Sequence, residues 1–288
     1  MPADIPIPPQ PHELPLPAPW VHDGVRTLGA VPYSVPFGMR AIEMDIHLPA
    51  SADGPVPLVI YVHGGAFLFG DRRDCGPAYW ADADNQFTLL PKAGIAVASL
   101  DYRLAGESTF PAQQDDLVAA LQYLVGRADE LGIDPTRIAV WGESAGAHLA
   151  MLLAFDGAPG CPPVVAVVDW FGPSDIRLPF GEMPLPPPSP EERLIGGAMA
   201  DLPELAAQAS PITHVHPGIP PVLVVHGTGD SVVPIAHSHA LVDALNAIGA
   251  DVKVEWIDGG EHAWIGTPQA ARIAQDVTLA YLRERLLG

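Results

Sequence analysis

A serine between two glycines, Gly142-Glu143-Ser144-Ala145-Gly146, follows the apolar, β-branched run Ile138 to Trp141 and precedes a small-residue segment ending at Ala150. The run reads as a buried strand and the residues beyond it as a helix. The pentapeptide is therefore a sharp strand-to-helix turn with Ser144 at its apex. The spacing G-x-S-x-G suits that turn: the glycines leave room where the chain reverses, and the hydroxyl stands clear of both elements. Ala145, Ala147 and Ala150 keep the helix thin enough to pack closely on a sheet. A serine hydroxyl is a poor nucleophile at neutral pH. It needs a base to take its proton, and the base needs a partner that fixes its tautomer.

The sequence offers candidates for both. Asp230 follows the apolar run Val222 to His226 through the turn Gly227-Thr228-Gly229, at the strand end where sites form in open α/β sheets. Its alternative role is an Asx-type turn brace. Asp169 and Asp175 also follow a strand and come after Ser144, so they stand as alternative acids. His262, in Asp258-Gly259-Gly260-Glu261-His262-Ala263-Trp264, lies between the last strand and the last helix and is the candidate base. Of the 11 histidines, His12, His22 and His47 precede the first core strand, and His237 and His239 fall on a helix. His226 ends a strand and reads as structural, while His214 and His216 remain competitors. Backbone donors for a developing oxyanion are expected from Gly64 and Gly65, directly after a buried strand, and from Ala145. His63 reads as a brace of that loop.

These groups must be carried by a sheet. Ala41 to Pro49 alternates apolar and polar residues, whereas Leu58 to Val62, Ile95 to Leu100, Val164 to Val168, Val222 to His226 and Val252 to Trp256 read as further strands. Helices are expected over Ala112 to Ala128, His237 to Ile248 and Pro268 to Leu287. Strands alternating with helices predict a mostly parallel sheet covered on both faces. Two segments fall outside this rhythm. Residues 1–40 open with eight prolines between Met1 and Pro19 and read as an extended arm, with residues 20–36 turn-rich. Residues 176–217 contain Pro184-Leu185-Pro186-Pro187-Pro188-Ser189-Pro190 and a short helix opening at Glu191. They read as an insertion over the site within a catalytic domain spanning 41–288.

Among 288 residues, 34 are acidic and 14 basic, for a formal charge of −20. Such a chain repels nucleic acid and anionic membranes, and no run is long and apolar enough to span a bilayer. The N-terminus lacks the charged and apolar regions of a signal peptide. Cys75 and Cys161 form neither a metal pair nor a disulfide framework, which points to free thiols and a cytoplasmic location. No nucleotide-binding glycine motif occurs, and neither metal nor cofactor is expected.

The motifs His63-Gly64-Gly65-Ala66-Phe67, Asp101-Tyr102-Arg103-Leu104, Phe110-Pro111-Ala112, Gly142-Glu143-Ser144-Ala145-Gly146, Gly227-Thr228-Gly229-Asp230 and Glu261-His262 occur in this order. From about Asp45 onward the chain resembles α/β-hydrolase esterases, in the branch of the hormone-sensitive-lipase-like enzymes and the bifunctional feruloyl and acetylxylan esterases. Asp169-Trp170-Phe171-Gly172-Pro173-Ser174-Asp175 is more similar to the second group. Ala66 departs from the third glycine of the lipase-like H-G-G-G. The resemblance implies an α/β-hydrolase fold and a serine carboxylester hydrolase acting on small or short-acyl esters. It also brings in arylformamidases and peptidases that share these motifs. A non-catalytic binding module is the reading from another class.

Overall fold

The computed structural model describes residues 9–80, 82, 84–181 and 185–288. Among them, nine strands form one sheet in the order β1-β2-β3-β5-β4-β6-β7-β8-β9. The strands are β1 (Trp20–His22), β2 (Val25–Ser34), β3 (Ile42–Pro49), β4 (Val56–Val62), β5 (Ala96–Leu100), β6 (Ile133–Glu143), β7 (Ala166–Trp170), β8 (Val222–Gly227) and β9 (Val252–Ile257). Pairings among β1, β2, β3 and β5 are antiparallel, and those from β5 through β9 are parallel.

Among the described residues, eight α-helices surround it: α1 (Gln86–Lys92), α2 (Ala112–Gly126), α3 (Ala128–Leu131), α4 (Ala145–Asp156), α5 (Pro190–Ile195), α6 (Pro203–Gln208), α7 (Ala236–Ala247) and α8 (Pro268–Leu287). The continuous apolar runs are explained by burial on both faces. Leu58, Ile60 and Val62 of β4 join one core with Leu117 and Leu121 of α2, Leu149 of α4 and Leu241 of α7. Val59 and Tyr61 join the other with Phe87 and Leu90 of α1 and Ala274 and Leu282 of α8. Period-two alternation thus sorts side chains between two cores even where every residue is apolar.

Three expectations change. Residues 20–34, grouped with the arm, are β1 and β2 of the sheet. The strand expected over Val164 to Val168 lies two residues later, so Asp169 sits inside β7 and not after it. The insertion carries α5, α6 and a 3-10 turn at Pro211–His214. The helix start at Glu191 holds: Ser189 caps α5 by accepting from the Glu192 amide, and Glu192 reaches back to the Ser189 amide, a reciprocal cap.

Candidate active site

Ser144 sits between β6 and α4 with φ 52° and ψ −120°, a conformation a side chain tolerates only when its surroundings impose it. The packing here does impose it. A Cβ on Gly142 would lie 2.3 Å from the Gly146 backbone, and one on Gly146 would lie 2.1 Å from the Val62 carbonyl oxygen. Both glycines are therefore required by contact. The Ser144 amide donates to the Trp170 carbonyl at 2.9 Å, tying the elbow to the end of β7.

His262 and Asp230 come to this serine from 118 and 32 residues away in the chain, measured from Ser144 and His262 respectively. His262 Nε2 is 3.0 Å from Ser144 Oγ, and His262 Nδ1 is 2.7 Å from Asp230 Oδ2. A carboxylate can only accept, so Nδ1–H donates to Asp230 and leaves Nε2 to accept from the serine hydroxyl. Asp230 Oδ1 accepts from the amides of Val232 and Val233 at 2.9 and 2.8 Å. Burial alone would raise the Asp230 carboxyl, but hydrogen bonds from His226 and His262 outweigh it and hold it well below the usual carboxylate range.

His226 was read as structural, and it is a second imidazole on the same carboxylate. Its Nε2 lies 3.2 Å from Asp230 Oδ2 and 2.9 Å from the Val233 carbonyl, while Nδ1 faces Ser238 Oγ at 2.7 Å. Nε2–H therefore donates to Asp230 and Val233. The four-residue spacing from His226 to Asp230, across the end of β8, is the signal that could have revealed the pair.

The competing residues point elsewhere. Asp169 Oδ1 accepts from the Gly172 amide at 2.8 Å. Asp175 pairs with Arg177 at 2.7 Å. His214 pairs with Asp156 at 2.7 Å, and His216 bonds the Phe155 and Pro217 carbonyls.

Gly64, Gly65 and Ala145 gather around Ser144: all but Ala145 line its cavity, and Ala145 opens α4. Among the described residues, no acceptor bonds their amides. Gly65 adopts φ 113°, and a Cβ there would lie 2.3 Å from the Phe69 carbonyl oxygen. His63 braces this loop: Nδ1–H donates to the Gly64 carbonyl at 2.7 Å, and the ring stacks on Tyr102 at 4.4 Å. Ala66, where the lipase-like motif has glycine, is left-handed at φ 53°, so the backbone keeps the shape glycine favours.

The cavity beside Ser144 has a volume of about 360 Å³, with Phe69, Phe171, Leu185, Val232 and Ile265 as apolar walls and Asp74 and Glu143 as acidic ones. A larger recess, about 610 Å³, lies between the N-terminal segment and α2, lined by Pro11, Tyr33 and Arg127. It contains none of the groups above. The described part of the arm belongs to that recess, with Arg127 donating to the Leu14 carbonyl at 2.8 Å. From residue 9 onward the arm does not line the Ser144 cavity. Leu185 of the insertion does, while Met183 and residues 1–8 lie outside the described residues. The Cys75 thiol, next to the cavity, is pushed up to about 12, chiefly by burial, and stays protonated and unreactive near neutrality.

Comparison with known proteins decides the family. The sequence model described as BD-FAE matches residues 44–245. The chain belongs to the BD-FAE family. It is 28% identical over 270 residues to the probable carboxylic ester hydrolase LipM of Mycobacterium tuberculosis, covering 88% of this chain and 59% of that protein. It is 27% identical to the probable isoprenylcysteine alpha-carbonyl methylesterase ICMEL1 of Arabidopsis thaliana, covering 76% and 48%. The chain thus spans about half to three fifths of the length of these curated relatives. Among solved structures, a truncated carbohydrate esterase from gut microbiota superposes with a TM-score of 0.75 at 26% identity, covering 94% of this chain and 99% of that one. A bacterial heroin esterase gives 0.71 at 28%, covering 92% and 85%. The architecture of this BD-FAE chain is that of the α/β-hydrolase esterases.

Proposed function

We propose that the chain is a serine carboxylester hydrolase that works through an acyl-enzyme. The observation that carries this reading is the hydrogen-bonded line from Ser144 Oγ through the His262 ring to Asp230, on a serine held in left-handed backbone. Esterases among its relatives and structural neighbours support it.

In this reading Ser144 Oγ attacks the ester carbonyl carbon while His262 Nε2 takes its proton. The carbonyl oxygen becomes an oxyanion facing the amides of Gly64, Gly65 and Ala145, which need no reorganisation to receive it. Protonated His262 then gives its proton to the departing alkoxide. Water, activated by the same nitrogen, releases the acid and restores Ser144. Asp230 stays ionised throughout and stabilises the imidazolium. These groups supply nucleophile, base, acid and anion stabilisation, so the chemistry calls on neither metal nor organic cofactor. The small, largely apolar cavity suits short acyl groups. Free Cys75 and Cys161 favour a reducing, cytoplasmic setting. Among the described residues, no helix is long and apolar enough to cross a membrane.

The test is labelling by a fluorophosphonate together with turnover of p-nitrophenyl esters from acetate to palmitate. Wild type is expected to label and to favour short chains. Ser144→Ala should lose labelling and at least about 10³-fold in kcat/KM. A variant keeping a tenth of wild-type turnover would sink the assignment.

A further inference from the structure

The cavity beside Ser144 holds two carboxyl side chains that the ester mechanism does not use. Asp74 is half-buried at its wall, with Oδ1 accepting from the Gly76 amide at 3.0 Å and from the Trp80 indole N–H at 2.8 Å. Glu143, 4% exposed, lies one residue before the nucleophile, with Oε1 accepting from the Tyr61 hydroxyl at 2.6 Å. Its second oxygen, Oε2, has no hydrogen-bond partner among the described residues. Gly76 is what leaves that oxygen its space: a Cβ there would sit 2.6 Å from Oε2. Among the described residues lining this cavity, the only basic side chain is His262.

Without a cation beside it, a buried carboxyl next to a second carboxyl holds its proton, and burial pushes Glu143 up to about 8; an arriving cation favours the ionised form. The titratable groups that face Glu143 are Tyr61, Asp74, Cys75 and Tyr79, and none is cationic. The remaining walls match one kind of visitor. Exposed Phe69 is a wall of the cavity, and exposed Trp80 lies just outside it, bonded to Asp74; aromatic side chains and carboxylates together receive alkylammonium groups. A purely apolar acyl or alcohol group would leave both carboxyls unanswered.

We propose that Asp74 and Glu143 form a cation subsite, so that the preferred substrates are small esters bearing a quaternary or protonated amine. This rests on the esterase reading of the same cavity. Anionic esters are disfavoured by the same two groups. The structure gives the shared chemistry, and substrates can carry the cation on either side of the scissile bond.

The test compares kcat/KM within two isosteric pairs. Butyrylcholine against 3,3-dimethylbutyl butyrate places the cation in the leaving group. Betaine ethyl ester against ethyl 3,3-dimethylbutanoate places it in the acyl group. The ammonium also raises intrinsic ester reactivity, so each wild-type ratio is divided by that of Asp74→Asn and of Glu143→Gln. Asn keeps the Oδ1 acceptor used by Gly76 and Trp80, and Gln keeps an acceptor for Tyr61. In at least one pair the cationic preference should fall about tenfold or more in Asp74→Asn at low ionic strength. It should fall in Glu143→Gln as well, and added salt should weaken it in wild type. Ratios unchanged in both variants overturn the proposal. Calorimetric titration with phenyltrimethylammonium tests the subsite without turnover: wild type should bind about tenfold tighter than Asp74→Asn. Equal or absent binding overturns the subsite. Loss of all ester turnover with binding intact overturns the esterase reading alone.

Discussion

At the scale of single residues, Asp169, Asp175 and Asp230 are the candidate acids, and only Asp230 meets an imidazole that meets the serine. Asp230 accepts two backbone amides on Oδ1 and two histidines on Oδ2. This division of labour makes Asp230→Asn informative. The asparagine oxygen can keep the amides of Val232 and Val233, which turns its NH₂ toward His262. His262 Nδ1 must then accept, its proton moves to Nε2, and the ring can no longer take a proton from Ser144. The expected loss in kcat/KM is about 10²- to 10⁴-fold with the fold retained. Asp175→Asn, which touches Arg177 and Ser210, should stay within about tenfold of wild type by the same comparison. The reverse ranking in steady-state assays would show that the wrong carboxylate has been assigned.

At the scale of elements, the site depends on how closely α4 approaches β4. Gly146→Ala places a methyl group against the Val62 and His63 carbonyl oxygens at 2.1 and 2.4 Å, both backbone atoms that cannot swing aside. Alanine improves helix propensity, so propensity predicts a gain and packing predicts a loss. Packing wins, because overpacking against backbone costs about 1–3 kcal/mol or more against less than about 1 kcal/mol from propensity. Denaturant unfolding should therefore show a lower midpoint, and Ser144 labelling should slow. A midpoint at or above wild type would mean that α4 can retreat without cost. The elbow was legible in the sequence because glycine at both ends of the turn and apolar residues before it leave few other structures. So were β8, β9 and α8, whose apolar patterns run unbroken. β1 and β2 were not. The pairing of β2 with β3 slips between Leu28 and Val31 and again between Pro32 and Ser34, and Ala30 turns left-handed at φ 54°. Those irregularities erase the period-two signal on which a strand is recognised. The meeting of Asp74 with Glu143 was likewise hidden, since it depends on a loop and a strand end far apart in the chain.

At the scale of the whole molecule, buried carboxyls set how stability varies with pH. Burial pushes Glu143 up to about 8 and Asp169 up to about 7, with Asp74 adding to the rise at Glu143 and the Tyr61 and Gly172 donors opposing it. In the unfolded chain both groups return to the ordinary carboxylate range. Between that range and their folded values, the native state holds protons that the unfolded state has lost. Stability therefore falls as pH rises through this window, each group contributing a slope of about 1.4 kcal/mol per pH unit. Asp230 has the opposite sign: held low in the folded state, it contributes stability that disappears as pH falls through and below the ordinary carboxylate range. A formal charge of −20 adds self-repulsion at the alkaline side. The melting temperature should thus peak in mildly acidic buffer and decline toward alkaline pH. Asp169→Asn isolates the stability effect, because the amide oxygen keeps the Gly172 bond and the group no longer titrates. Calorimetric scans from about pH 5 to about pH 9 should show a flatter decline for this variant than for wild type. Parallel curves for the two proteins would mean that Asp169 is ionised in the folded state throughout.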